Sequence, residues 1–247
     1  YPLWIFFART LDRFGKGIRT SARDALLSDA TTPEHKGKVF GFHRAMDTVG
    51  AAIGPLLALI YLHFYPGQYR MMFILAFFPG LVAIALTFYL KDQSRDQKTI
   101  DTSPETKKHV GFFAYLKYWT RAEPAFRYLV GGLLVFTLFN SSDAFLLLAL
   151  KEQHLSDTNM IGVYVFYNLV YAAFSYPVGI LADKIGLKTM LIAGLFLFAV
   201  VYTLMGFAVT LWMFGGLFFL YGLYAASTEG ISKALISNLA GKHETAT

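Results

Sequence analysis

Apolar residues recur along this chain in runs long enough to cross a hydrocarbon core, which takes about 20 helical residues. Seven such segments can be drawn, over 1–28, 39–64, 70–90, 126–150, 160–181, 188–209 and 211–238. Between the third and the fourth, KDQSRDQKTIDTSPETKKHV from Lys91 to Val110 is polar and rich in charge. The aromatic stretch GFFAYLKYW follows it, ending at Trp119. That pair predicts a linker and a short interfacial helix with its lysines toward lipid headgroups. Lys and Arg then fix orientation, because cytoplasmic connections carry the excess. The 29–38 connection holds Lys36 and Lys38, and the 182–188 turn holds Lys184 and Lys188. The linker region holds Lys91, Arg95, Lys98, Lys107, Lys108, Lys117 and Arg121. These three share the cytoplasmic side. The connections near Tyr65, Gln153 and Val209 hold only Arg70 and Lys151, and are external.

Composition supports the spanning reading. Apolar residues make up 55% of the 247 and charged residues 15%, against about 25% charged in a soluble domain. Mean hydropathy is +0.47. The net charge of +6 follows from the cytoplasmic loops rather than from a nucleic-acid partner. Cysteine is absent, so neither a disulfide framework nor a thiolate metal site is available, and no metal or cofactor is expected. The chain opens on Tyr1 without a charged leader, and reads as a piece of a longer protein. It holds no H-E-x-x-H, C-x-x-C, G-x-S-x-G or G-x-x-x-x-G-K-[ST], so metalloprotease, redox, hydrolase and ATP-driven chemistry lack their usual motifs. No enzyme is expected.

The charge that matters lies in the first segment. From Phe7 to Asp29 the chain reads FARTLDRFGKGIRTSARDALLSD. On a helix, Arg9, Arg13, Lys16, Arg19 and Arg23, with Asp12 and Asp24, fall in an arc of roughly 140°. Leu11, Ile18, Ala22 and Ala25 lie on the far side. A cation near the bilayer centre costs about 2.5–3.5 kcal/mol on insertion scales, so the stripe must face water, carboxylates or a solute. Arg19 and Arg23 also read as cytoplasmic end charges. Arg9, Arg13 and Lys16 are candidate ligands for carboxylate or phosphate groups.

Other polar positions inside the segments fall into two kinds. Asp47, close to His43 and Arg44, is a proton-site candidate or one partner of a static ion pair with a cation of the first helix. Asp12, Asp143 and Glu229 are further proton-coupling candidates. Asp143 sits in the Asn140-Ser-Ser-Asp143 cluster, which marks cavity lining or a helix break, or else an external helix contact. Glu229 stands one turn before Lys233, with which it can pair, or it has a coupling role. Tyr164, Asn168 and Tyr171 share a helix face with Ser175, to orient a solute or to bond a neighbouring helix.

Three motifs together carry a family likeness. Gly179-Ile-Leu-Ala-Asp183-Lys184-Ile-Gly186-Leu-Lys188 resembles the G-x-L-a-D-r-x-G-r-k signature of the major facilitator superfamily, at the turn between that family's eighth and ninth helices. Gly179 permits close helix approach, Asp183 can cap a helix end, and Gly186 allows a tight reversal. Gly50-Ala-Ala-Ile-Gly54-Pro55 is similar to the G-x-x-x-G-P element of the fifth helix, where small residues let helices pack. Arg9-Thr-Leu-Asp12-Arg13-Phe-Gly15-Lys-Gly17 resembles the R-x-x-q-G-x-G element of the fourth, with Asp12 in place of Gln and Arg13 in place of Gly.

The resemblance implies an all-α polytopic fold running from the fourth helix to the tenth. Residues 1–90 would end the first bundle, 91–122 form the central cytoplasmic loop and 123–247 open the second bundle. Helices one to three, eleven and twelve would lie outside it. It further implies a monomeric, multi-pass inner-membrane transporter whose two halves rock about a central site. With the cationic stripe, the expectation is proton-coupled movement of a small organic anion or anionic metal chelate, with efflux favoured. Broad efflux of lipophilic drugs and a non-transporting receptor or scaffold are the alternatives.

Overall fold

The computed structural model describes residues 2–88, 119, 121–140, 143–153 and 157–240, and the regular structure among them is helical. Helix α1 runs Pro2–Asp29, and a 3-10 turn Pro33–His35 leads into α2, Lys36–Phe64. Helix α3 runs Tyr69–Thr87, α4 Pro124–Phe139 and α5 Asp143–Glu152. Helices α6, Asp157–Ile185, α7, Leu187–Met205, and α8, Leu211–Leu239, complete the described chain. At 1.5 Å per residue, the 29 residues of α2, α6 and α8 reach about 43 Å, well beyond a hydrocarbon core of about 30 Å. Their ends therefore extend into the headgroup layers.

Two expected spans come out differently. The segment 126–150 is two helices rather than one: α4 stops at Phe139, Asn140 is extended at φ −73° and ψ 119°, and α5 begins at Asp143. Where α4 ends, the Asn140 side chain bonds a neighbouring helix: its Oδ1 accepts from the Tyr202 hydroxyl at 3.4 Å. Helix α1 is long enough to cross, but its charges keep it out of the apolar class. Among the described residues five helical stretches qualify by length and composition, over Pro33–Phe64, Tyr69–Thr87, Asn159–Ile185, Leu187–Met205 and Leu211–Leu239. The linker 91–110 and the interfacial helix before Trp119 lie outside the described residues.

The chain divides into two compact units, residues 1–52 with 115–247, and residues 53–114. The first is built around α8. Phe214, Phe218, Tyr221 and Tyr224 of α8 pack with Tyr167 of α6 and Val201 of α7. Small residues set the spacing. A Cβ on Gly194 of α7 would fall 2.7 Å from Thr228 Cγ2, and one on Gly222 of α8 would fall 2.8 Å from Val170 Cγ1. The opening of α2 enters the same unit at two further close approaches: a Cβ on Gly41 would lie 2.5 Å from the Ser175 carbonyl oxygen, and one on Gly230 would lie 3.2 Å from that of Phe40. In the second unit, Gly67 at φ +79° turns the end of α2 into α3. Helix α3 buries none of its residues.

Candidate functional site

Three tiers of polar contact join α1 and α2 to α6 and α8. The first is at the helix ends. Gly186, at φ +99°, lies between α6 and α7, a left-handed conformation that glycine adopts without strain. One turn earlier on α6, Asp183 accepts from two amides of the first turn of α2: Gly37 N–H to Oδ1 and Lys38 N–H to Oδ2, each at 2.8 Å. Those amides have no partner within their own helix, and the helix dipole adds positive potential there, so a carboxylate is the complementary group. The fit depends on glycine at both walls, since a side chain on Gly37 would collide with Asp183 and the Gly179 carbonyl. Lys36 is buried, and its Nζ donates to the Ser237 carbonyl at 2.9 Å, in the last turn of α8. Here the dipole favours a cation. Ser28 and Ser237 share a hydroxyl hydrogen bond at 3.2 Å, and Asn238 Nδ2 donates to the Pro33 carbonyl at 3.3 Å. The 29–38 connection and the 182–188 turn therefore meet at one end of the bundle. Lys184 and Lys188 are exposed there.

The second tier is the Lys233–Asp24 pair at 2.8 Å, with Arg23 on the same carboxylate at 3.2 Å. Lys233 thus pairs with α1 and not with Glu229. The pairing expected along α8 gives way because α1 and α2 each bring an opposite charge closer than the next helical turn does.

The third tier is centred on Arg44, eight residues into α2 and so about 12 Å from its start. Nη1 reaches Asp47 Oδ2 at 3.1 Å on its own helix, and Nη2 reaches Glu229 Oε2 on α8 at 3.1 Å. Nε donates to the Tyr171 hydroxyl on α6, and the guanidinium carbon lies 5.3 Å from that ring's centroid. Charge-assisted bonds of this kind are about twice as strong as neutral ones. Tyr171 is buried, whereas the Asp47 and Glu229 side chains are half exposed, at 50% and 49%. Together Arg23, Arg44 and Lys233 balance Asp24, Asp47 and Glu229. Within the third tier alone, two carboxylates share one cation.

The structure brings Asp47, Tyr171 and Glu229 together, and leaves other candidates apart. Arg9, Asp12, Arg13 and Lys16 are exposed and make no ion pair among the described residues. Leu11 and Ile18 on the opposite side of α1 are exposed as well, so over this stretch neither face of the helix is covered. Asp143 is the first residue of α5, and its side chain lies outside the described residues. Asn168 is buried, with Nδ2 donating to the Tyr164 carbonyl of its own helix at 2.9 Å. Tyr164 stacks at 6.2 Å from Tyr167, which lies 6.0 Å from Tyr171. Gly50 and Gly54 have open space beside them among the described residues, and Pro55 lies within α2. No group of three or more His, Asp or Glu among the described residues has the arrangement to hold a metal ion.

Sequence reasoning missed Arg44 as a hub, the Asp24–Lys233 pair and the buried Lys36. The available signal was charge balance: three cations and three carboxylates at matching depths in α1, α2 and α8.

Comparison with known proteins places this arrangement. The chain is 32% identical over 244 residues to an uncharacterized MFS-type transporter of Methanocaldococcus jannaschii, covering 96% of the chain and 58% of that relative. Uncharacterized proteins of Mycobacterium bovis and Mycobacterium tuberculosis are 37% identical over 90 residues, which is 36% of the chain and 22% of each of them. No solved structure matches. The chain therefore spans little more than half the length of its long-range relative. The sequence pattern of the Major Facilitator Superfamily matches residues 1–247, and with the multi-pass apolar helices already described, the chain belongs to that superfamily of membrane transporters.

Proposed function

We propose that the whole protein is a secondary active transporter that moves a small organic anion, or a metal held as an anionic chelate, outward across the plasma membrane in exchange for protons. The carrying observation is a contrast among cations. Arg23, Arg44 and Lys233 each have a carboxylate partner, whereas Arg9, Arg13, Lys16 and Arg19 on one stripe of α1 have none among the described residues. An uncompensated cationic surface raises the local concentration of anions and can grip them bidentately through Arg. In this reading Arg9, Arg13 and Lys16 bind the solute, with Tyr164, Asn168 and Tyr171 orienting it. Asp12, Asp47, Asp143 and Glu229 carry protons. The two bundles, 1–90 and 123–247, rock about the site as a monomer, and the cytoplasmic tiers close one end. Gly179, Asp183, Lys184, Gly186 and Lys188, with Gly50, Gly54 and Pro55, serve that motion.

A second reading, export of lipophilic compounds, draws on a cavity of about 490 Å³ lined by Val163 and Phe166 of α6 and by Leu211, Trp212 and Phe219 of α8. The intact protein in vesicles with a pH-sensitive dye separates the two. Di- and tricarboxylates and metal-citrate complexes should drive proton movement, and Arg13→Ala or Lys16→Ala should reduce it at least tenfold, about 1.4 kcal/mol. Proton movement with hydrophobic amines alone, unchanged in both variants, favours the lipophilic reading.

A further inference from the structure

The third tier offers more than an ion pair. The Nε and Nη2 groups of a guanidinium form one edge, with two parallel N–H donors matched to the two oxygens of a carboxylate or phosphate. On Arg44 that edge is filled by two unconnected oxygens, the Tyr171 hydroxyl on Nε and Glu229 Oε2 on Nη2. Its remaining Nη1 contact is to Asp47, three residues along α2. The partners divide by element: Asp47 travels with Arg44, whereas Tyr171 and Glu229 belong to α6 and α8. Separation of α2 from α6 and α8 at the cytoplasmic end must strip both oxygens from the same edge while the third contact stays. The stripped donors are then open to water or to an anion, and charge-assisted bonds to a two-oxygen anion are the stronger.

We propose that the Nε/Nη2 edge of Arg44 is a subsite for a carboxylate or phosphate group of the solute, occupied in the closed state by Glu229 and Tyr171 and taken over by the solute as the cytoplasmic end opens. This rests on the anionic-solute reading above and deepens it. Arg44 is then where binding is converted into opening, by exchange of an internal anion for an external one. The half-exposed Glu229 carboxylate is the leaving partner. The buried Tyr171 sets how readily the exchange occurs.

The test uses the intact protein in vesicles, with spin labels at Lys38→Cys and Ile185→Cys reporting the width of the cytoplasmic end by electron-electron distance measurement. Citrate, succinate and inorganic phosphate are the probes. At least one should lengthen the distance in the doubly labelled parent. Arg44→Lys, which keeps the charge and loses the fork, should abolish the response or raise the half-saturating concentration at least tenfold. Glu229→Gln removes the charged competitor on Nη2 and should lower that concentration about three- to tenfold. A response that survives Arg44→Lys but disappears in Arg13→Ala overturns the Arg44 subsite and leaves the anionic-solute reading standing. No response of the parent to any of the three overturns both. If Arg44→Lys does not fold, Glu229→Gln carries the test, and an unchanged or raised half-saturating concentration overturns the subsite.

Discussion

Helices α3 and α8 invert the rule that the more apolar helix is the more buried. Helix α3 is the more apolar of the two, yet none of its spanning window is buried, whereas more than half of that of α8 is. The surface of α3 carries Phe73, Phe77, Phe78, Leu81 and Ile84, all exposed. The buried face of α8 includes Gly222, Ala225, Ala226, Ser227, Thr228 and Gly230. In a bilayer, lipid tails are as apolar as leucine, so large side chains gain little from facing protein, and helices associate where small residues let backbones approach. Two buried polar groups on α8 are met within the helix: Ser227 and Thr228 donate to the carbonyls of Leu223 and Tyr224. Small and polar residues set among the aromatics Phe214, Phe218, Tyr221 and Tyr224, more than hydropathy, mark the packed surface.

The strongest test of that contrast adds bulk at a close approach. Gly41→Leu drives a side chain into the Ser175 carbonyl, 2.5 Å from where its Cβ must sit, and should cost about 3 kcal/mol or prevent folding. Gly80→Leu in α3 meets open space and should be neutral, or stabilising by up to about 1 kcal/mol through helix propensity. Thermal unfolding of the purified protein compares them. Equal shifts for the two would remove the distinction between the helices.

A smaller effect is expected where a carboxylate takes the place of packing. Asp183→Ala leaves the Gly37 and Lys38 amides without their acceptor, for a loss of about 1–2 kcal/mol. Amide hydrogen exchange at those two positions should quicken about tenfold, while the middle of α8 is unaffected. Exchange rates at Gly37 and Lys38 that stay as before would mean water already replaces the carboxylate.

The helices and the turn were legible in the sequence for local reasons. Apolar runs set helix extents and Gly186 marked the reversal, while Asn140-Ser-Ser left cavity lining and a helix break both open, and the helix ends there. The site was only half legible. Asp47, Tyr171 and Glu229 stood out as polar residues in apolar helices, but nothing local says that Arg44 collects all three. That depends on how α2 crosses α6 and α8, which is set by Gly41, Ser175 and Gly230. The same crossing takes Lys233 away from Glu229. Spacing along one helix shows which partners are possible, and the neighbouring helices decide between them.

That choice of partner is measurable. Asp24→Ala and Lys233→Ala, singly and together, should show a coupling of about 0.5–1 kcal/mol, the range for partly exposed pairs, since the pair is 22% and 32% exposed at its side chains. Glu229→Ala and Lys233→Ala should show almost none. Coupling in the second cycle and not the first would restore the pairing along α8 and leave Asp24 with Arg23 alone.

The smallest effect completes the comparison. Phe77 on α3 is 61% exposed among the described residues, and a lipid-facing account of α3 puts its ring among acyl chains. Phe77→Leu exchanges one apolar side chain for another on that side and should move stability by less than about 0.5 kcal/mol. The same exchange at Phe218, fully buried between α8 and its neighbours, leaves a void and loses the edge contact with Tyr167 at 6.2 Å. That should cost about 1–2 kcal/mol. Unfolding of both variants in bilayer-like discs, where lipid is present on α3, is the proper measurement. A cost at Phe77 as large as at Phe218 would mean that α3 packs against protein, and the lipid-facing account of its apolar surface would have to be given up.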